Sequence, residues 1–357
     1  MRILYGVVGE GMGHAIRSRV VLEHLLAQGH EVEIMASSRA ADLLGKRFAQ
    51  VHRIHGLHMI YEDNRMRHGR TLWSNVREGS AALPKQIRAY FDLVEDFAPE
   101  VVISDFESWV YWYAKLHGLP IVSIDNMQIL NRCRIDPDVL RGIRGQYELA
   151  RTFVKGKLPF CEHYLIATFF RPPVRRERTT LVPPILRPEV LAATSTRGDH
   201  LLVYQTAEGH ASLPDALVAL SLPCRIYGMR RAIQEDEQEG MLMYRPFDEA
   251  RFIQDLASAQ AVVSGGSFTL MSECVYLHKP MLSVPVGKQI EQVINARYLQ
   301  REGYGVAAEA IDAGVLARFI ESVPEYERRL QGYRQEGNRE VFEALDGLLD
   351  RAGAGLL

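Results

Sequence analysis

The chain has 357 residues, 47% of them apolar and 24% charged, with a net charge of −2; this is globular composition and excludes a disordered, collagenous or coiled-coil chain. At about 150 residues per domain, the length predicts two domains. Cys133, Cys161, Cys224 and Cys274 lie far apart with no CxxC pair, so neither a disulfide scaffold nor a zinc knuckle is indicated and a reducing cytoplasm is the expected compartment.

Arg2 to Val8 reads as a short buried strand. It passes straight into Gly9-Glu10-Gly11-Met12-Gly13-His14, without the apolar stretch and cleavage site of a leader peptide. A helical pattern follows from Ala15 to Ala27, with Ile16, Val20, Val21, Leu25 and Leu26 on one face. Gly29 ends it, and Glu31 to Ala36 reads as a second strand, completing a βαβ unit. The alternation recurs as a helix over 81–97, a strand from Val101 to Ser104, a helix over 107–117 and a strand from Ile121 to Ile124. Such an order implies a parallel sheet with helices on both faces.

Five prolines between Arg171 and Pro188 break the periodicity, which places a domain linker near Val182 to Pro188. Beyond it, Leu201 to Gln205, Cys224 to Tyr227, Met241 to Tyr244, Ala261 to Ser264 and Met281 to Val284 read as strands of a second α/β domain. The tail from Glu325 to Ala352 is mostly helical, interrupted at Gly332 and Gly337. The expected division is 1–185, 186–335, and a C-terminal helix over 336–357 that packs back on the first domain. No run approaches the ~18 apolar residues of a membrane span.

Charge is unevenly spread. Residues 1–200 carry 27 Lys and Arg against 22 Asp and Glu, and residues 201–357 carry 15 against 22. Between Asn131 and Arg187 there are 12 basic and 5 acidic residues, a stretch suited to an anionic acceptor or an anionic membrane face. It lacks the interleaved aromatics of a nucleic-acid site, and no nucleic-acid partner is expected.

Two constellations could carry chemistry. The first is the loop with Gly9, Gly11 and Gly13, where the chain can turn sharply and free N–H groups at a helix start favour negative charge. A dinucleotide fingerprint would need glycine where His14 stands, and no Gly-Lys-Ser/Thr of a Walker loop follows. At the helix start, the dipole keeps the His14 imidazole neutral, the state of a general base. Asp105, after the strand Val101 to Ser104, falls on the same carboxyl edge of a parallel sheet and could orient that ring. The second constellation runs from Ser264-Gly265-Gly266-Ser267 through Thr269 and Glu273. A strand ends in two glycines and a helix begins near Ser267, so amides and hydroxyls converge on a point suited to a diphosphate, with Glu273 within reach of ribose hydroxyls. Asp136-Pro137-Asp138 reads as a helix start, not a metal site.

Together with Pro280, Pro285, Gly287, Gln289, Glu291, Gln292, Asn295 and Ala296, the second constellation resembles the nucleotide-sugar domain of GT-B glycosyltransferases, especially relatives of the UDP-glycosyltransferases and of the peptidoglycan N-acetylglucosaminyltransferase. Leu4-Tyr5-Gly6-Val7 and the loop ending in Gly13-His14 are similar to the acceptor domain of the same family. The resemblance implies an α/β fold of two Rossmann-like, doubly wound domains facing across a cleft. The first would bind the acceptor and the second a nucleoside-diphosphate sugar, expected to be UDP-linked. His14 becomes the base and Asp105 its partner. Gly11, Gly13, Gly265, Gly266, Ser267, Thr269, Glu273, Gln289, Glu291 and Gln292 become donor contacts, and Arg245 and Phe247 pack on the nucleobase. Neither cofactor nor metal is expected. The acceptor is expected to carry a hydroxyl and to be lipid-linked or anionic, and residues 131–187 are expected to touch the inner membrane face peripherally.

Some positions depart from the family pattern. Ser264 replaces a histidine before the glycine pair, Glu291 replaces aspartate, and His278-Lys279-Pro280 replaces Gly-x-Pro. Retaining members place a second glutamate eight residues before the first; that position is Gly265 here, which favours inversion. The alternatives are a nucleotide-sugar 2-epimerase of the same fold and a non-catalytic nucleotide-sugar-binding protein.

Overall fold

The structure, a computed structural model, describes residues 1–9, 11–54, 90–92, 94–205, 213–285 and 289–357. Glu10, Gly287 and residues 81–89 of the expected helix lie outside the described residues. Two seven-stranded sheets organise the rest. The first holds β1 (Arg2–Val7), β2 (Glu31–Ser37), β3 (Val51–Ile54), β4 (Val101–Asp105), β5 (Ile121–Asp125), β6 (His163–Ala167) and β7 (Thr179–Val182), all parallel in the order β3-β2-β1-β4-β5-β6-β7. The second holds β8 (Leu201–Tyr204), β9 (Cys224–Tyr227), β10 (Glu237–Glu239), β11 (Leu242–Arg245), β12 (Ala261–Ser264), β13 (Met281–Ser283) and β14 (Gly305–Ala307), in the order β10-β11-β9-β8-β12-β13-β14 with only β10 antiparallel.

Strand order reverses between β1 and β4 in one sheet and between β8 and β12 in the other. At such a switch point, the connections leave in opposite directions and open a crevice at the carboxyl ends of the strands. His14 follows β1, Asp105 ends β4, and Gly265 follows β12, so both constellations stand at switch points.

Among the described residues the first half holds, besides the helical residues 90–92 and 94–95, α1 (Met12–Ala27), α2 (Ser38–Gly45), α3 (Ser108–His117), α4 (Ile129–Arg132) and α5 (Arg144–Lys157). A short α6 (Pro188–Leu191) lies in the crossing between sheets, followed by α7 (Leu213–Ala219), α8 (Glu249–Ser258), α9 (Phe268–Tyr276), α10 (Ile290–Arg301), α11 (Ala313–Leu330) and α12 (Arg339–Gly353). After the second sheet, the chain returns: Val341, Leu345, Leu348 and Leu349 of α12 join the core of the first sheet beside Ile3 and Leu165. The return is pinned by His24, whose ring stacks on Phe342 at 3.9 Å and whose Nε2 lies 2.8 Å from Asp346.

The two halves pack directly. Tyr298 stacks on Phe170 at 3.9 Å and donates to Asp136 Oδ2 at 2.9 Å, and Asn295 Nδ2 donates to Asn126 Oδ1 at 3.1 Å. Three sequence expectations change. The proline-rich stretch contains β7, so the crossing runs over 183–200 and not from Val182. Asp136-Pro137-Asp138 starts no helix: residues 137–143 are turns, and Arg301 of α10 holds Asp136 at 2.9 Å and Asp138 at 3.0 Å. Finally, α1 begins at Met12, so Gly13 and His14 form its first turn instead of the loop before it.

Candidate active site

On the first sheet the site starts from a buried carboxylate. Val7 pairs with Asp105 across β1 and β4, which sets Asp105 beside the start of α1. Asp105 is fully buried and accepts from four atoms of three side chains. His14 Nδ1 lies 2.8 Å from Oδ1, Arg17 Nε donates to Oδ2 at 2.8 Å, Arg17 Nη2 donates to Oδ1, and Ser18 Oγ donates to Oδ2 at 2.9 Å. Burial pushes this carboxyl up, but the Arg17 guanidinium and then the His14 contact outweigh it and bring it down to about 2. An ionised carboxylate only accepts, so the shared proton sits on Nδ1 and Nε2 keeps its lone pair.

Burial, then Arg17, whose Nη2 lies 2.5 Å from Nδ1, hold the imidazole below the ordinary histidine range despite Asp105. A ring 16% exposed and neutral at physiological pH is equipped to take a proton. Behind this layer Asp125, at the end of β5, is pushed up by burial to about 6 while accepting from Ser123 Oγ and the Gln128 amide, both at 2.7 Å.

Across the cleft, β12 ends in Gly265 and Gly266, and Ser267 caps α9 without bonding its first-turn amides through its side chain. The Gly265 carbonyl accepts from Ser283 Oγ at 2.9 Å. A Cβ on Gly266 would lie 2.3 Å from Gln292 Cβ, so only glycine lets α9 approach α10 here. Gln289 caps α10, accepts from Gln292 Nε2, and precedes Glu291 in the first turn. The lobes touch where the two constellations face each other: a Cβ on Gly13 would fall 2.6 Å from Thr269 Oγ1. Gly11 caps α1 at φ 86.

The remaining expected donor residues have partners of their own. Phe247 is 62% exposed and tilts against Phe252 at 5.7 Å. Arg245 donates to Asp255 Oδ2, sharing that carboxylate with Arg225 and Tyr227, both at 2.5 Å. Glu273 is 1% exposed, and both its oxygens accept from Arg187, at 2.8 and 2.9 Å. The sequence reading puts Glu273 on ribose; in this structure its carboxylate is engaged by Arg187 of the crossing segment.

A cavity of about 780 Å3 lies between the halves, lined on one side by Val139, Arg141 and Ile143 and on the other by Pro285, Ile290 and Arg297. Among the described residues no three His, Cys, Asp or Glu side chains group as metal ligands, and no helix is long and apolar enough to cross a membrane.

Sequence reasoning missed Arg17 and Arg187. Arg17 carried a usable signal, since it stands three residues after His14 and therefore on the same helix face. Arg187 carried none beyond its place among prolines.

The sequence profile described as Glycosyl transferase family 1 matches residues 1–324. An uncharacterised glycosyltransferase of Methanosarcina mazei is 23% identical over 333 residues, covering 85% of each chain. A Bacillus cereus UDP-N-acetylglucosamine--N-acetylmuramyl-(pentapeptide) pyrophosphoryl-undecaprenol N-acetylglucosamine transferase is 26% identical over 309 residues, covering 77% of this chain and 80% of that one. Among solved structures, the glycotransferase of kitacinnamycin superposes with a TM-score of 0.70 at 16% identity, covering 98% of both chains. With two switch points facing across one cleft and a profile spanning nearly the whole length, the chain belongs to glycosyl transferase family 1 and has the GT-B fold.

Proposed function

We propose that this glycosyltransferase moves a sugar from a nucleoside-diphosphate donor to an acceptor hydroxyl by a single inverting displacement, with His14 Nε2 as the base. The observation that carries the reading is the 2.8 Å His14–Asp105 contact, on the helix whose first turn abuts Thr269. In the reaction, Nε2 takes the acceptor O–H proton as that oxygen attacks the anomeric carbon. The bond from that carbon to the diphosphate breaks, and its electron pair leaves on the phosphate oxygen. The developing charge meets the first-turn amides of α9, fixed dipoles that need no reorganisation. A UDP-linked donor is favoured by the Bacillus cereus relative, whose name specifies one. That relative's acceptor is pyrophosphoryl-undecaprenol-linked, and the basic residues between 131 and 187 suit an anionic acceptor of that kind.

General-base catalysis is worth roughly 10²–10⁴-fold. His14→Ala should lower kcat by that range while calorimetry finds UDP affinity unchanged. Parallel loss of both would show that His14 supports the fold or the donor and is not the base.

A further inference from the structure

Arg187 stands in the crossing between the sheets, 4% exposed, with every nitrogen engaged. Nε and Nη2 grip the two oxygens of Glu273 on α9, and Nη1 donates to Glu249 Oε1 of α8 at 2.8 Å. Glu249 Oε1 also lies 3.7 Å from Arg19 Nη2, and the same nitrogen donates to both oxygens of Glu189 in α6, at 2.9 and 3.1 Å. Arg19 is on α1, the helix that carries His14. One residue before Arg187, the Leu186 amide donates to Asn338 Oδ1 at 2.9 Å and its carbonyl accepts from Asn338 Nδ2 at 2.7 Å. The backbone at the crossing is thus clamped beside the helix returning to the first sheet, while the guanidinium is clamped to the donor helix of the second.

We propose that Arg187 is a positioning residue of the transfer reaction: through Glu273 on one side and the Glu249–Arg19 contact on the other, it registers the diphosphate turn of α9 against His14 on α1. The claim rests on the transfer reading above for its kinetic part only. A planar fork on a carboxylate fixes distance and orientation together, whereas a lysine ammonium supplies a point charge without that geometry. Arg187→Lys therefore keeps a cation beside the buried Glu273 and loses the register. A displacement of about 1 Å between reacting groups is enough to cost up to 10²-fold in rate.

The test uses the full chain with Arg187→Lys, Arg19→Gln and the double variant, read by transfer kinetics, UDP calorimetry and amide hydrogen exchange. Expected for Arg187→Lys is a kcat lower by tenfold or more, with UDP affinity within about threefold of wild type and faster amide exchange in α6 and the first turn of α9. Arg19→Gln, on a surface-reaching contact, should shift kcat in the same direction by less, and it carries the test if Arg187→Lys fails to fold. The double variant should be no worse than Arg187→Lys, because both act through one network. Full kcat in Arg187→Lys, or losses that simply multiply, would overturn the proposal. Absence of transfer by the wild-type chain would overturn the transferase reading instead; amide exchange would then decide this inference, with unchanged protection of α6 and α9 in both variants refuting it.

Discussion

His14 sits between opposite charges, Asp105 at 2.8 Å and the Arg17 guanidinium at 2.5 Å, both on Nδ1. The carboxylate orients the ring and would stabilise the imidazolium, while burial and then the guanidinium oppose that charge and keep the ring neutral as pH falls. Removing the guanidinium should let Asp105 act on the ring alone. In Arg17→Gln the histidine therefore titrates at higher pH, and the acid limb of the kcat/KM profile moves up the pH scale, because in the proposed reaction activity falls as pH drops through the pKa of His14. An unmoved limb would mean that Arg17 does not govern that ring. The same variant should lose on the order of 3 kcal/mol in urea unfolding, since a buried carboxylate loses its main partner. Asp105, at about 2 in the fold against 3.8 as a free group, contributes stability that is present above about pH 4 and lost as pH falls towards 2. At this scale the sequence exposed His14 and Asp105, because strand ends at a parallel-sheet switch point can be counted off. Arg17 and Ser18 were passed over because a hydrophobic pattern looks for Val, Ile and Leu on the buried face of α1, where both are polar; only the spacing of Arg17 from His14 marks it.

Two glycines on facing elements make contrasting predictions. Gly266 backs onto Gln292 Cβ, close to its main chain, so Gly266→Ala must push α10 off α9 and should cost about 1–3 kcal/mol in thermal or urea unfolding. Gly13 lies in the first turn of α1, and a Cβ there would meet the Thr269 side chain, 2.6 Å from Oγ1 and 3.5 Å from Cβ. Gly13→Ala should leave the unfolding midpoint near wild type, since the gain of up to ~1 kcal/mol of alanine over glycine in a helix offsets moving that side chain. Its kcat should fall, because the Thr269 hydroxyl is displaced from the point where, in the proposed reaction, donor and base meet. A stable Gly13→Ala enzyme with full turnover would mean that this contact does not define the working geometry. Element by element, strands flanked by Gly or Pro and a helix were legible, as at β12 and α9. β3, β6, β7, β10 and β14 were not: β7 lies inside the proline run, Glu237–Glu239 of β10 has no apolar residue, and Val51–Ile54 of β3 sets His52 and Arg53 between its two apolar ends. His278 shows a further limit: it takes φ 56 where the family pattern has glycine, a backbone demand that the sequence pattern alone registers only as a mismatch.

At the scale of the molecule, two sheets in series along the chain were readable from the repeated strand-helix alternation, while the contacts between them were not, because Tyr298 on Phe170 and Asn295 on Asn126 join residues far apart in sequence. The chain crosses between the lobes twice, at 183–200 and again before α12, so cutting the second crossing should not affect the lobes equally. Val341, Leu345, Leu348 and Leu349 are buried against the first sheet. At about 2 kcal/mol for each buried aliphatic side chain, their removal approaches the ~5–15 kcal/mol that holds a whole domain together. A chain ending at residue 335 should therefore open in its first half, with amide exchange fast in β1 to β6 and still slow in β8, β12 and β13. Leu345→Ala is the graded version: a cost of about 2–5 kcal/mol appearing in the first-sheet amides before those of the second. Protection lost uniformly across both sheets would mean that the lobes unfold as one unit, because the Phe170–Tyr298 face then couples them more tightly than either core is held by its own helices.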